Sequence, residues 1–432
     1  MHPRALSTEL PGLAGREVHL EGWVHRIRDL GGVRFLVLRD RGGQAQVVAG
    51  RDIDLGGVNC EWVVAVDGQC RRESRAPGGV EVLARHVRTI SPAEQPPLDV
   101  FSPRAAEINR LDTLLENRAI SLRIPAVLDV FRVQAVVLRA FREHLRSQGF
   151  TEIVTPKLVL AGAEGGSAVF EVKYFERAAY LAQSPQFYKQ IMVGSGLERV
   201  FEVGHAYRAE RSETSRHLTE YLSLDFEMGF IESVQDVMRM HAGLIGAIFE
   251  AVRQECAPIL ARRGVTLPPV GEIPQVSFPE AVRILAERFG KTEGLRGDLD
   301  TEGERLICRW AAETLGSDLL FVTGYHVDKR PMYAMPDSDA PPLTHSFDLL
   351  MGGVEITTGG QRIHDHAQLV ESIRARGLDP ADYEDYLAAF RHGMPPHGGM
   401  GMGIERLIKQ MLGLANVKEA SLFPRDRNRL TP

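Results

Sequence analysis

The chain has 432 residues, 44% hydrophobic and 25% charged. That is the balance of an ordinary globular protein; it excludes a disordered or fibrous chain and gives room for two or three domains. Fifty-one Lys and Arg against 57 Asp and Glu leave a net charge of −6, so bulk positive charge does not hold nucleic acid here, and a local basic face or base pockets must do so. No apolar run approaches the roughly 20 residues that span a bilayer. The start, Met1-His2-Pro3-Arg4, lacks the apolar stretch of a secretory leader. Cys60, Cys70, Cys256 and Cys308 are scattered, with no C-x-x-C pair, against structural zinc or a disulfide framework. We expect a cytoplasmic protein without membrane contact.

Residues 1–95 read as β. The segments Val18–Ile27, Val33–Arg39, Gln44–Val48, Glu61–Val66 and Val80–Ala84 are short and alternating, with glycine-containing turns. Five such strands predict a small barrel; an OB-fold and an SH3-like barrel share that pattern. Ser91-Pro-Ala-Glu-Gln-Pro-Pro97 is a polar, proline-rich break, and residues 96–122 read as linker. Residues 123–432 mix helices and strands. Phe131, Ala135, Leu138, Phe141 and Leu145 keep helical spacing up to Gly149. Phe150–Pro156 reads as a strand, and Val200–Val203 and Tyr221–Met228 as a strand pair. Val237, Met240, Leu244 and Ile248 mark another helix. Phe347–Met351 and Val354–Thr357 predict a hairpin across Gly352-Gly353. The expected fold is α+β with antiparallel strands.

Three segments carry candidate chemistry. The polar loop Tyr207–His217 holds Arg208, Arg211 and Arg216 with His217; guanidinium forks match phosphate oxygens, although a solvated hairpin loop reads the same way. Gly398–Arg406 places glycines ahead of a helix bearing Arg406, which suits close approach of an anion but is not a Walker loop. Glu355-Ile-Thr-Thr358 sets a carboxylate and a hydroxyl three residues apart, a pair able to hold a hard metal or simply a strand end with an ion pair.

Together these segments resemble the signature motifs of class II aminoacyl-tRNA synthetases. Gly149–Pro156 resembles motif 1, Phe201–Glu210 motif 2 and Gly401–Arg406 motif 3, in the right order and behind an N-terminal barrel. The resemblance is to the subclass with an N-terminal OB-fold, which holds the aspartyl, asparaginyl and lysyl enzymes. It implies an all-β OB-fold anticodon-binding domain over 1–95 and an α+β catalytic domain with an antiparallel sheet over 123–432. Ser184–Gln190 is similar to the aspartyl version, in which Lys189 meets the substrate side-chain carboxylate with Gln186 beside it. Gly359–Arg362 supplies a second cation, Arg362. Gly162–Gly166 resembles a mobile loop whose Glu164 receives the substrate ammonium. The stretch from Phe230 to Gly398 is too short for the large bacterial insertion, so the chain is similar to the compact archaeal type.

The resemblance implies ATP-dependent activation of L-aspartate and its transfer to tRNA. Arg208 bridges the α-phosphate and the substrate carboxylate, and Arg406 holds the far phosphates with Arg216 and His217. Glu210 meets adenine, Leu218, Gly403, Ile404 and Glu405 complete the ATP site, and Glu355 and Thr358 hold Mg²⁺. Motif 1 implies a homodimer. In the barrel, Phe35 stacks on the middle anticodon base, Gln46 reads its edge and Glu81 lies nearby. Enzymes of this type restricted to tRNA(Asp) commonly have tryptophan where this chain has His25, and lysine where it has Pro77. Both departures match the relaxed type that also charges tRNA(Asn), which implies a tRNA-dependent amidotransferase as partner. An asparaginyl enzyme, or a non-catalytic paralogue that binds RNA or a metabolite, are the rival readings.

Overall fold

The structure, a computed structural model, describes residues 3–160, 162, 168–210 and 214–431. The chain divides into two compact units, one ending at Ile124 and one beginning at Pro125.

In the first unit, strands β1 (Glu17–Asp29), β2 (Val33–Arg39), β3 (Gln44–Gly50), β4 (Val63–Arg72) and β5 (Val80–Ser91) close a barrel in the order β1-β2-β3-β5-β4. Their alternation fills it: Leu20, Val24, Leu36, Val47, Val64, Val66 and Val82 are essentially inaccessible. Because successive strand residues face opposite sides, Leu36 and Leu38 enter the core while Phe35 and Val37 lie on the outer face. The pairing register shifts between Val24 and Arg26, at His25, the mark of a bulge. Glu61, expected to open the fourth strand, precedes it with φ 64°. Its buried carboxylate accepts from Arg39 at 2.8 Å and Arg123 at 2.7 Å, which holds this unusual conformation for a residue with a side chain. Residues 96–122 contain the short helices α1 (Ala105–Ile108), α2 (Leu111–Glu116) and α3 (Arg118–Ser121).

The second unit opens with α4 (Pro125–Ser147). Val130, Val133, Val137, Phe141 and Leu145 form its buried stripe, as helical periodicity requires. There follow β6 (Thr151–Glu152), β7 (Leu158–Val159), β8 (Glu171–Tyr174), β9 (Arg177–Leu181), α5 (Gln186–Met192), β10 (Arg199–Tyr207), β11 (Glu220–Gly229), α6 (Val234–Glu255) and α7 (Ala257–Arg263). The remainder is β12 (Gln275–Ser277), α8 (Phe278–Phe289), α9 (Thr301–Leu315), β13 (Leu319–Thr323), β14 (Ser346–Met351), β15 (Val354–Arg362), α10 (His366–Ala375), α11 (Glu384–Arg391), β16 (His397–Gly403) and α12 (Ile404–Leu412).

Eight strands form one sheet in the order β12-β13-β14-β15-β16-β11-β10-β6; only the β6–β10 and β12–β13 pairs are parallel. Helices α4, α6 and α12 bury one sheet face, and α8 and α9 cover the β12–β14 end. The strand expected over Phe150–Pro156 shrinks to Thr151–Glu152. Beyond Ile153 the chain leaves the sheet, Val154 is 93% exposed, and Pro156 has no N–H to offer a ladder. The β14–β15 hairpin turns at Gly352 (φ 56°) and Gly353 (φ 85°), a turn that requires positive φ at both places. The glycines of 398–403 form strand β16, central in the sheet, and only Gly403 caps a helix. A Cβ on Gly399 would lie 2.1 Å from the Phe226 carbonyl oxygen, so glycine is what lets β16 approach β11. Among the described residues no helix is long and apolar enough to cross a membrane.

Candidate active site

On the sheet face opposite α4 and α6, β11, β15 and β16 floor a cleft of about 640 Å³. Strand β11 shows how the floor is made. Leu224 and Phe226 enter the core while Tyr221, Ser223 and Asp225 line the cleft, and Glu227 lies sealed beside them. Glycines at 401 and 403 leave the neighbouring floor without bulk.

One end of the cleft is cationic. Arg208, on the chain leaving β10, lies with its guanidinium 5.6 Å from the Tyr221 ring centre. Arg406, in the first turn of α12, is 3.4 Å from a Glu355 carboxylate oxygen and donates to the Glu355 carbonyl at 3.2 Å. Thr358 Oγ1 donates to Glu355 Oε1 at 2.9 Å. Burial works against the Glu355 charge, but Arg406, the Thr358 hydroxyl, Arg330 and Arg208 outweigh it and hold the carboxyl below its ordinary range. Arg216 donates to Glu304 and to Thr301 on α9, and its Nε is buried without a hydrogen-bond partner among the described residues. Glu304 also accepts the Glu355 backbone N–H at 3.1 Å; burial, opposed by Arg216, pushes it up to about 7. His217 sits 2.7 Å from the Thr214 hydroxyl and 3.6 Å from Glu210, and burial lowers its pKa. Glu405 accepts from the Leu222 N–H, and burial raises it to about 7.

The other end holds a buried charge quartet. Lys189 Nζ, fully shielded, donates to Asp225 at 2.8 Å and to the Met400 carbonyl at 3.1 Å, with Glu227 at 3.5 Å. Arg362 Nε donates to Glu227 at 2.9 Å, and Gln186 Nε2 donates to the same carboxylate at 3.2 Å. Burial opposes the Glu227 charge, yet Arg362 and Lys189 keep its carboxyl below the usual range. Behind α5, Tyr386 donates to Gln190, whose amide bonds His397 at 2.8 Å.

Residues 110–427 match the family of class II tRNA synthetases for D, K and N, and residues 18–90 match the OB-fold nucleic-acid-binding domain. This chain belongs to the class II aminoacyl-tRNA synthetases. The synthetase is 48% identical over 434 residues to the aspartate–tRNA(Asp/Asn) ligase of Thermus thermophilus, covering 99% of this chain and all of that one. It is 43% identical over 429 residues to the aspartate–tRNA(Asp) ligase of Pyrococcus abyssi, covering 97% of each. Among solved structures, the Pyrococcus horikoshii asparaginyl-tRNA synthetase complexed with asparaginyl-adenylate superimposes with a TM-score of 0.93 at 31% identity, covering both chains fully. A putative aspartyl-tRNA synthetase from Leishmania major gives 0.90 at 29%, covering this chain fully and 94% of that one.

In the synthetase the cleft gathers most of the expected catalytic residues: Gln186, Arg208, Glu210, Arg216, His217, Leu218, Glu355, Thr358, Arg362, Gly403, Glu405 and Arg406 all line it. Two do not. Lys189 lies beneath the surface, covered by Asp225 and Glu227, and the Ile404 side chain belongs to the core, leaving only its backbone for a ligand. Glu164 falls outside the described residues. Sequence reading missed Asp225, Glu227 and Glu304, and it missed the buried pair in which Arg330 donates to Asp348 at 3.0 and 2.7 Å. The alternation of Tyr221–Met228 was the available signal: every second residue of that strand is polar.

In the barrel unit, Phe35 is half-buried and pairs with Arg28 and Val48. Gln46 donates to Glu81 at 2.8 Å, and Arg71 engages the same carboxylate. His25 lies 3.3 Å from an Arg39 nitrogen and 5.8 Å from the Phe101 ring; burial, with Arg39, lowers its pKa. Pro77 opens the short turn Pro77–Gly79 and is exposed.

Proposed function

We propose that this synthetase activates L-aspartate with ATP and transfers it to the terminal adenosine of both tRNA(Asp) and tRNA(Asn). The observation that carries the choice of amino acid is the buried pair of cations, Lys189 and Arg362, at one end of the cleft. Arg362 meets the substrate β-carboxylate at the cleft surface, and Lys189 adds its charge from below. Asp225 and Glu227 balance both cations, so neither brings an unpaired buried charge to the site. Asp225, which lines the cleft, offers a carboxylate to the α-ammonium together with Glu164. A neutral asparagine side chain draws less from two cations than a carboxylate does.

The first step joins the α-carboxylate to the α-phosphorus and releases pyrophosphate. It calls for positioning and charge neutralisation rather than a covalent nucleophile. Arg208, at the cationic end of the cleft, bridges the α-phosphate and the reacting carboxylate. Arg406, Arg216 and His217 hold the outer phosphates, and Glu210 with the floor near Gly403 and Glu405 receives the base. The Glu355 carboxylate and Thr358 hydroxyl fit Mg²⁺: both are hard oxygen donors, and Glu355 stays ionised. Among the described residues no cluster of three acidic, His or Cys side chains closes a cage, so two protein oxygens leave the remaining positions to phosphate and water. Mg²⁺ there would draw charge from the phosphates.

The exposed apolar residues Val154, Leu158 and Leu160 beside motif 1 support a two-fold homodimer. Phe35, Gln46 and Glu81 share the outer barrel face and form the anticodon platform. His25 and Pro77 support relaxed tRNA choice, and with it a downstream amidotransferase that converts Asp-tRNA(Asn). The test is ATP–pyrophosphate exchange with aspartate, asparagine and lysine in turn. Exchange with aspartate alone is expected; exchange with asparagine instead gives the asparaginyl reading, and none with any of the three gives the paralogue.

A further inference from the structure

Arg216 lines two cavities. One is the cleft; the other is an open recess of about 450 Å³ behind it, formed by the start of α9, the β14–β15 turn and the last turns of α12. The recess is cationic. Arg305 reaches it from α9 and Lys409 from α12, three residues beyond Arg406. Lys409 lies near enough to Arg216 for the two charges to act on each other. Among the described residues Lys409 has no carboxylate within ion-pair distance; the acid that acts on it, Glu419, is occupied in capping Asn416. Burial and the neighbouring Arg216 charge both lower the Lys409 pKa. The one acid lining the recess, Glu302, is already shared by Lys291 at 3.3 Å and Arg305 at 3.8 Å. The floor is Gly352-Gly353, with no side chains to fill it. A Cβ on Gly353 would lie 3.1 Å from the Arg305 Cα, and one on Gly352 would lie 2.9 Å from the Gln410 amide oxygen. Like charges brought together around an open volume are stabilised by a multivalent anion.

We propose that this recess receives the inorganic pyrophosphate released from the cleft, held between Arg216, Lys409 and Arg305. The assignment rests on the activation reading above. In that step the carboxylate oxygen bonds the α-phosphorus while the bond from the α-phosphorus to the bridging oxygen breaks. Pyrophosphate leaves with that electron pair and is born beside Arg216. Arg216 then passes the anion from one cavity to the other. Its Thr301 and Glu304 partners hold the guanidinium in the wall between them.

The experiment is ATP–pyrophosphate exchange with the full chain, varying pyrophosphate and ATP separately. Lys409→Ala is expected to raise the KM for pyrophosphate about tenfold, the size of one charge-assisted contact, with the ATP KM moving less than about twofold, and Lys409→Arg should restore the parent value. A pyrophosphate KM that does not move overturns the proposal. So does an equal rise in both constants, which would assign Lys409 to the ATP site. If Lys409→Ala does not fold, exposed Arg305→Gln takes its place, with a smaller rise in pyrophosphate KM expected and no rise counting against the recess. Absence of aspartate exchange in the parent removes the activation reading instead. The recess is then judged by calorimetric titration of the parent with inorganic pyrophosphate, and binding that Lys409→Ala does not weaken overturns it.

Discussion

Lys189 Nζ lies 2.8 Å from Asp225 Oδ1, with both side chains almost wholly shielded. A pair this deep is costly to break from one side, because the remaining charge stays buried. Lys189→Ala is therefore expected to lose about 3–5 kcal/mol of stability and to impair aspartate activation far more than ATP binding. Denaturant unfolding measures the first and exchange kinetics the second; activation by the variant equal to the parent's removes Lys189 from amino-acid selection.

Glu405 gives a pH signature. Its carboxyl is raised to about 7 by burial, while an unfolded Glu titrates near 4.3. The folded state therefore binds more protons between those values, and stability falls as pH rises from about 4.5 to about 7. Glu405→Gln keeps an acceptor for the Leu222 N–H but cannot ionise. Unfolding free energies measured across that window should decline less in the variant, by an amount on the order of 1–3 kcal/mol; parallel curves would show that Glu405 ionises normally.

Metal dependence follows from Glu355 and Thr358. Glu355→Gln should lower the rate of adenylate formation by at least about 100-fold, and thorough chelation with EDTA should silence the parent. Activation that survives EDTA would falsify the Mg²⁺ assignment.

Assembly is read by sedimentation. The dimer should appear at twice the 47.9 kDa chain mass. Val154→Asp, which places a charge on a residue 93% exposed, should shift it toward monomer without unfolding the chain. A parent that sediments as a monomer at micromolar concentration excludes the interface.

For tRNA choice, transcripts of tRNA(Asp) and tRNA(Asn) should be aspartylated at comparable rates. Reading one base by a good polar contact is worth roughly 1–3 kcal/mol, so His25→Trp with Pro77→Lys should shift preference toward tRNA(Asp) by about tenfold or more. Rejection of tRNA(Asn) by the parent ends the relaxed reading.

Most of the architecture was legible because alternation and helical spacing are local properties. The barrel strands, α4, α6 and the β14–β15 hairpin follow from them directly. What was not legible depends on distant neighbours. Nothing local distinguishes the glycines of 398–403 as strand rather than turn; only the close approach of Phe226 and Glu227 requires it. Lys189 reads as a cation available to a substrate, but its partners lie on β11 and β16, far along the chain. Glu304 is unremarkable on an amphipathic helix until Arg216 and the Glu355 N–H converge on it. The motif arginines were recognisable because resemblance carries position as well as residue type.

The pairing of Asp225 with Gly401 also sets an order of events during synthesis. Strand β11 leaves the ribosome with β10 already beside it, but its other edge stays open until β16 emerges near the end of translation. Through that interval the nascent chain presents a bare strand edge with half-neutralised charges. Closing so long a loop favours slow folding, and an open edge invites pairing with other chains. A chaperone that shields this edge would therefore act late, and truncation ahead of His397 should yield aggregates rather than a weakened enzyme.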